Sequence, residues 1–287
     1  MKKLLALLLA LGMMTGMLAG CGTSNDSAET SVPAASVEET GSTAEAPAEA
    51  ANSAAEAPAN AGDKTWVIAT DTVFKPFEYT DETGAFVGID VDIVAAIAED
   101  QGFSYELQSL GWDSAIAACQ AQQADGMIAG ASITDERKES GWMFSDGYYT
   151  ATQCMAVAES SDIASFADLN GKTVAVKTGT QGASYAESLK EENGFEITYF
   201  EDSPNMYQAV SGGQAVACFE DTPIMAASIK DGGLGLKIVE GSENEGADYG
   251  FAIFNEASQE LLDMFNAGLA NIKANGKYDE IIAKYLG

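Results

Sequence analysis

The 287-residue chain contains no histidine and a single arginine, Arg137, beside thirteen lysines. Without histidine there is no Ser-His-Asp or Cys-His nucleophile, no imidazole proton shuttle and no histidine ligand for zinc. Positive charge is scarce throughout: 14 Lys and Arg stand against 44 Asp and Glu, a formal charge of −30. Binding a phosphate backbone needs a basic surface, and no stretch supplies one, so nucleic acid is excluded as a partner. The glycines of GTQGASY and DGGLG are not accompanied by GxxxxGK[ST] and do not make a phosphate loop. Cysteine is sparse as well. Cys119, Cys154 and Cys218 lie in apolar stretches, where buried free thiols are common, and their odd number argues against a full disulfide framework. What the chain does have is a globular composition, 46% apolar and 20% charged. Its length suits one or two domains of about 100–200 residues each.

The amino terminus has its own pattern. Lys2 and Lys3 precede an apolar run over 4–18 that is too short to span a bilayer comfortably, and small residues follow, as in a signal peptide covering 1–20. Its end, Leu18-Ala19-Gly20-Cys21, resembles the lipobox of bacterial lipoproteins, in which the cysteine carries the lipid. Residues 21–63 are dominated by Ala, Glu, Ser, Thr, Pro and Asn, with eight acids and no base. Such a segment cannot bury a core and reads as a disordered acidic linker spanning roughly 35–40 Å as flexible coil. The remainder keeps 36 acids and 12 bases, a charge of −24. The expectation is a folded body lipid-anchored at Cys21 on the extracytoplasmic face of the cell membrane.

From residue 64 short apolar runs alternate with helical patterns. WVIAT (66–70), YELQSL (105–110) and GMIAG (126–130) read as strands. Between them lie a helix over 90–101 ended by Gly102 and a helix SAIAACQAQQ capped by Asp113. A long extended run, GYYTATQCMAVAE (147–159), then interrupts the alternation. It restarts with strands at 172–179, 196–200, 215–221 and 236–241, each pair separated by a helix. YGFAIF (249–254) precedes an amphipathic helix over 258–274 and a short terminal one. Strand–helix alternation implies parallel sheets with helices on their faces. The interruption points to two α/β lobes, 64–149 with a return segment 247–287, and 150–246, with a cleft between; a single larger doubly wound domain is the alternative.

In open α/β sheets ligands sit beyond the carboxyl ends of the strands. There the sequence places Asp71 and Phe74, then Trp112, then Gly130, Ser132, Thr134 and Arg137. In the second half it places Lys177, Gly179 and Thr180, then Glu220 and Asp221. A guanidinium offers paired donors to a carboxylate, which lysine does not. Thr134 followed by Asp135 and Glu136 reads as a helix N-cap whose free N–H groups would add to that site. Asp221 could hold an ammonium, helped by the Gly130 carbonyl and the Ser132 hydroxyl. Phe74 and Trp112 would clamp an aliphatic stem. A carboxylate, an ammonium and an apolar stem make an α-amino acid. Each residue also has a structural reading: Arg137 as a solvated first-turn residue, Asp221 as an N-cap ahead of Pro223, Phe74 as core, Trp112 as a hydrophobic staple.

The runs ATDTVFKPFEY, GIDVDIVAAIA, AGASITDERK, FSDGYY, VAVKTGTQGASY and EDTP resemble the bacterial extracellular solute-binding proteins of family 3, the amino-acid receptors of ABC importers. The similarity extends over 64–287 and is greatest to glutamine-binding proteins. It implies a two-lobed periplasmic-binding-protein fold of type II, with each lobe a sheet flanked by helices and the ligand between them. It implies that Arg137 binds the α-carboxylate and that Asp221, Gly130 and Ser132 bind the α-ammonium. Phe74 and Trp112 would hold the stem, and Asp71 and Lys177 would meet a distal amide. Thr180 and Gln181 complete the implied site; Gln181 stands where glycine is usual, and Glu220 where histidine is.

The resulting expectation is a monomeric receptor, not an enzyme, with neither cofactor nor metal. It would capture a free L-amino acid, glutamine-like, by hinge closure about strands near 148–153 and 245–249, and deliver it to an ABC permease. The alternative is a sensor, or an enzyme such as a dehydratase or lytic enzyme, on the same scaffold; the enzyme would require an activated carboxylate in the cleft.

Overall fold

The computed structural model describes residues 64–231 and 233–287. The expected signal peptide, Cys21 and the acidic linker lie outside the described residues. Strand β1 (Thr65–Thr70) is followed by a small hairpin, β2 (Tyr79–Thr80) and β3 (Phe86–Val87), then α1 (Ile89–Gln101), β4 (Ser104–Ser109), α2 (Trp112–Gln120) and β5 (Gly126–Met127). A short α3 (Asp135–Glu139) leads to β6 (Met143–Phe144), β7 (Tyr149–Ala151) and β8 (Gln153–Ala158). Next come β9 (Thr173–Lys177), α4 (Gln181–Asn193), β10 (Glu196–Phe200), α5 (Ser203–Ser211), β11 (Ala217–Asp221), α6 (Thr222–Lys230) and β12 (Leu236–Ile238). The chain ends with β13 (Ala247–Tyr249), β14 (Ala252–Ile253), α7 (Gln259–Ala274) and α8 (Lys277–Leu286).

These strands form two five-stranded sheets of matching design. The first has the order β4-β1-β5-β14-β6 and the second β10-β9-β11-β8-β12. In each, three parallel strands are extended by two more that run antiparallel to their neighbours: β14 pairs with β5 and β6, and β8 with β11 and β12. Parallel strands covered by helices on both faces read as unbroken apolar runs, which is why VIA in β1 and VAV in β9 are fully apolar. α1 ends where Gly102 adopts φ 71° and its N–H bonds the Ala98 carbonyl. α7 packs Leu261, Leu262, Phe265, Leu269 and Ile272 into the first lobe's core with Ile93, Val94 and Ile97 of α1, each fully buried side chain contributing about 1.5–3 kcal/mol.

The lobes are joined by a two-stranded antiparallel ribbon, β7 with β13, registered Ala151↔Ala247 to Tyr149↔Tyr249. The extended run at 147–159 is therefore not one strand: 149–151 belong to the ribbon and 153–158 to the second sheet, with Thr152 between them. The other crossing requires Gly246, which has φ 76° and whose Cβ, if present, would lie 2.5 Å from the Ala151 carbonyl oxygen. Two local readings need correction. α2 starts at Trp112 after Gly111, so Asp113 sits in the first turn and does not cap it. The GMIAG strand stops at Met127, and the backbone turns at Gly130 with φ 56°. Cys119, Cys154 and Cys218 are buried free thiols.

Candidate functional site

The carboxyl ends of β1, β5, β9 and β11 converge on a narrow cleft with a free volume of about 10 Å³. It is lined by Asp71, Phe74, Trp112, Ala129, Gly130, Ser132, Arg137, Lys177, Thr180, Gln181, Glu220 and Asp221. All ten site residues named from sequence are thus brought together. Residues up to Arg137 come from the first lobe and those from Lys177 onward from the second.

Arg137 is held by a short, well-defined path. The Thr134 hydroxyl caps α3 by accepting the Arg137 N–H at 3.2 Å, and one turn of helix then aims the side chain inward. Only 8% of Arg137 is exposed, which removes the reading of a solvated surface residue. Its guanidinium lies 5.1 Å from the ring centres of both Trp112 and Trp142. Nη1 donates to the Ser132 carbonyl at 2.9 Å and Nη2 to the Gly179 carbonyl of the opposite lobe at 3.2 Å. Burial lowers its pKa to about 10, with Asp221 the largest opposing influence, so it remains charged at neutral pH.

Asp221 occupies the opposite wall. It precedes α6 with Pro223 in the first turn, yet its side chain makes no cap hydrogen bond. Instead Oδ1 accepts from Gln153 Nε2 at 2.6 Å and Oδ2 from the Tyr249 hydroxyl at 2.5 Å. Burial, then the neighbouring Glu220, push its carboxyl up to about 6. Glu220 is fully committed: Oε2 accepts from the Ser203 and Tyr207 hydroxyls at 2.6 and 2.8 Å, and Oε1 from the Asp221 N–H at 2.9 Å.

At the other end Lys177 Nζ meets Asp71 Oδ2 at 2.5 Å, both side chains being 5% exposed or less. Asp71 Oδ1 also accepts the Thr72 N–H at 2.7 Å. Phe74 packs beside Phe77 and Tyr249, and its ring lies 5.5 Å from Lys177 Nζ. Trp112 donates from Nε1 to the Gly179 carbonyl at 3.3 Å. Gly130 admits no other residue here, because a Cβ would lie 2.4 Å from Phe74 Cε1 and φ is positive. The Thr180 hydroxyl caps α4, accepting from Ala183 N–H at 3.3 Å, and Gln181 is half-buried in the first turn.

Among the described residues, five hydrogen bonds or ion pairs cross between the lobes besides those within the ribbon: Lys177–Asp71, Arg137–Gly179, Trp112–Gly179, Tyr249–Asp221 and Lys75–Asp231. Sequence reasoning missed Trp142, Gln153 and Tyr249. The partners of the last two, 68 and 28 positions away, are set by the ribbon and not by any local period.

A model of the bacterial extracellular solute-binding proteins, family 3, matches residues 66–287. The chain belongs to this family. Among its family 3 relatives, the arginine-binding extracellular protein ArtP of Bacillus subtilis is 29% identical over 99% of this chain and 98% of its own length. The second substrate-binding domain of a transporter assigned to the amino-acid ABC class, from Streptococcus pneumoniae, is 42% identical over 78% of this chain and 100% of that one, with a TM-score of 0.54. An ancestral arginine-binding protein has been solved bound to arginine (34% identical) and bound to glutamine (33% identical). Each structure covers 78% of this chain and 98% of its own, with a TM-score of 0.72. The chain has the two-lobed α/β fold of these amino-acid-binding proteins, and as a family 3 member it is a solute-binding protein and not an enzyme.

Proposed function

We propose that this receptor takes a neutral amino acid with a carboxamide side chain, glutamine foremost, and that it does so while tethered to the membrane through Cys21. Arg137 would receive the α-carboxylate with the guanidinium N–H groups not used on Ser132 and Gly179. Asp221, the Gly130 carbonyl and Ser132 would receive the ammonium. Phe74 and Trp112 would flank the stem, with Thr180 and Gln181 closing the second-lobe wall. The single observation that carries the choice of side chain is the buried Lys177–Asp71 pair at the end of the cleft. A carboxamide accepts from Lys177 through its oxygen and donates to Asp71 through its nitrogen. A guanidinium would instead lie near Lys177, where like charges about 4 Å apart repel by about 4 kcal/mol at an effective dielectric of 20.

One observation favours a cationic ligand such as arginine. Asp71, Glu220 and Asp221 outnumber Lys177 and Arg137 in the cleft lining, leaving one net negative charge. That charge is Glu220, already saturated by Ser203, Tyr207 and the Asp221 N–H. The other four groups, Asp71, Asp221, Lys177 and Arg137, sum to zero, as a neutral zwitterion requires. Isothermal titration with L-glutamine and L-arginine separates the readings: glutamine tighter by tenfold or more supports the carboxamide, and arginine tighter overturns it.

We further propose that segments 64–149 with 247–287, and 150–246, move as the two rigid bodies that the β7–β13 ribbon joins. A ligand bound to Arg137 on one and Asp221 on the other favours the closed arrangement, which a permease would read. The protein acts as a monomer in this scheme. Loss of membrane partitioning in Cys21→Ala tests the anchor.

A further inference from the structure

Glu78 and Asp90 are both 0% exposed, at the base of the first lobe directly behind the cleft. Asp90 Oδ2 accepts from the Gly130 N–H at 3.0 Å and from the Tyr148 hydroxyl at 2.9 Å. Asp90 Oδ1 and both Glu78 side-chain oxygens have no N–H or O–H donor among the described residues. The Asp90 N–H donates to the carbonyl of Phe77, the residue before Glu78, at 2.9 Å, which sets the two buried carboxyl groups near each other. Two acceptors buried face to face make a bond only if a proton lies between them, and like-charged carboxylates in such a place cannot both ionise. Lys177 is the cation that acts on Glu78, and it is bonded to Asp71, the other acid that acts on it. Asp90 is acted on by Glu78, Tyr148 and the Gly130 N–H.

We propose that Glu78 and Asp90 hold one proton between them at neutral pH, which fixes Asp90 as an oriented acceptor. Asp90 is then a positioning residue for the amino-acid site: its Oδ2 sets the left-handed turn at Gly130 and ties that turn to Tyr148 at the root of the ribbon. Gly130 holds a left-handed φ of 56° close against the Phe74 ring, and its N–H is anchored on Asp90 Oδ2. Tyr148 in turn donates its N–H to the Tyr249 carbonyl at 2.8 Å, so one carboxylate oxygen connects the ammonium wall to the crossing between lobes. Burial raises both carboxyls, Asp90 to about 7 and Glu78 well above its ordinary value, in agreement with a proton retained on the Glu78 side.

The positioning role rests on the amino-acid reading above, whereas the shared proton does not, so the test has two readouts. Infrared spectra of the full protein at pH 8, without added amino acid, should show a carboxylic-acid carbonyl band that Glu78→Gln removes. Titration calorimetry with L-glutamine should give Glu78→Gln a Kd within threefold of the parent, because the amide N–H replaces the shared proton as donor to Asp90 Oδ1. Asp90→Ala should weaken binding at least tenfold, and Asp90→Asn, which keeps an acceptor for Gly130 and Tyr148, should recover part of that loss. A band absent from the parent or unchanged in Glu78→Gln overturns the shared proton. Normal affinity in Asp90→Ala overturns the positioning role. Should the parent bind no amino acid, the receptor reading and the positioning role fall together, and the infrared band still decides the proton.

Discussion

Replacing Arg137 tests the carboxylate end of the site, and the size of the effect follows from its bonds. A guanidinium carries five N–H donors, of which Ser132 and Gly179 take one each at 2.9 and 3.2 Å. The remainder suffices for a paired contact with an α-carboxylate. Two charge-assisted hydrogen bonds at about 1.5–3 kcal/mol each amount to about 3–6 kcal/mol. At about 1.4 kcal/mol per tenfold, Arg137→Ala should weaken amino-acid binding by roughly two to four powers of ten. Arg137→Lys retains the charge but has three donors on a single nitrogen, too few in direction to serve Ser132, Gly179 and a carboxylate together, and should lose roughly a hundredfold. Because Arg137 packs against both Trp112 and Trp142, circular dichroism and thermal melting without amino acid must accompany the titration to show that the lobes remain folded. A folded Arg137→Ala protein that binds within threefold of the parent would refute the assignment.

Lys177→Met leaves Asp71 buried and unpaired, so the melting temperature should fall, and the ligand giving the larger thermal shift should change from glutamine to arginine, whose guanidinium supplies the missing cation. Affinity should also decline on acidification through about pH 6: Asp221, raised by burial and Glu220, then protonates and loses its attraction for an ammonium. The stability sign is opposite. A carboxyl with a raised folded-state pKa favours the fold at low pH and weakens it as pH rises to about 6, so a melting temperature that climbs over that interval in step with ligand affinity would show the wrong group is titrating. Gly130→Ala should abolish measurable binding, since the new Cβ would lie 2.4 Å from the Phe74 ring on a positive-φ backbone; calorimetry showing retained affinity would mean the turn is not part of the site.

Much of this arrangement was legible in the sequence because it rests on strand ends. Asp71, Lys177 and Asp221 each terminate a strand or directly follow one, and parallel topology gathers such positions at one edge of each sheet. Arg137 stood out through rarity, and the Thr134 cap showed which way its helix begins. The ribbon was harder to read. Residues 147–159 have one continuous extended character, and only pairing with 247–249 on one side and with 217–221 on the other divides them. Asp113 looked like a cap because acids favour both the cap and the first turn; Gly111, with φ 89°, left the first-turn position to it. Gln153 and Tyr249 carried no local signal, since their role depends on where Asp221 lies after the chain has crossed twice between lobes. Nothing in the sequence singled out Glu78, ahead of β2, or Asp90, in the first turn of α1. Their burial, which makes them consequential, is a property of the packed lobe.

The most direct test of the receptor reading is a thermal-shift screen of the twenty amino acids on the mature protein, combined with mass spectrometry of any small molecule that co-purifies with it. The account predicts that glutamine gives the largest stabilisation and is the molecule recovered, and that Arg137→Ala abolishes both signals. Stabilisation by none of the twenty would contradict it.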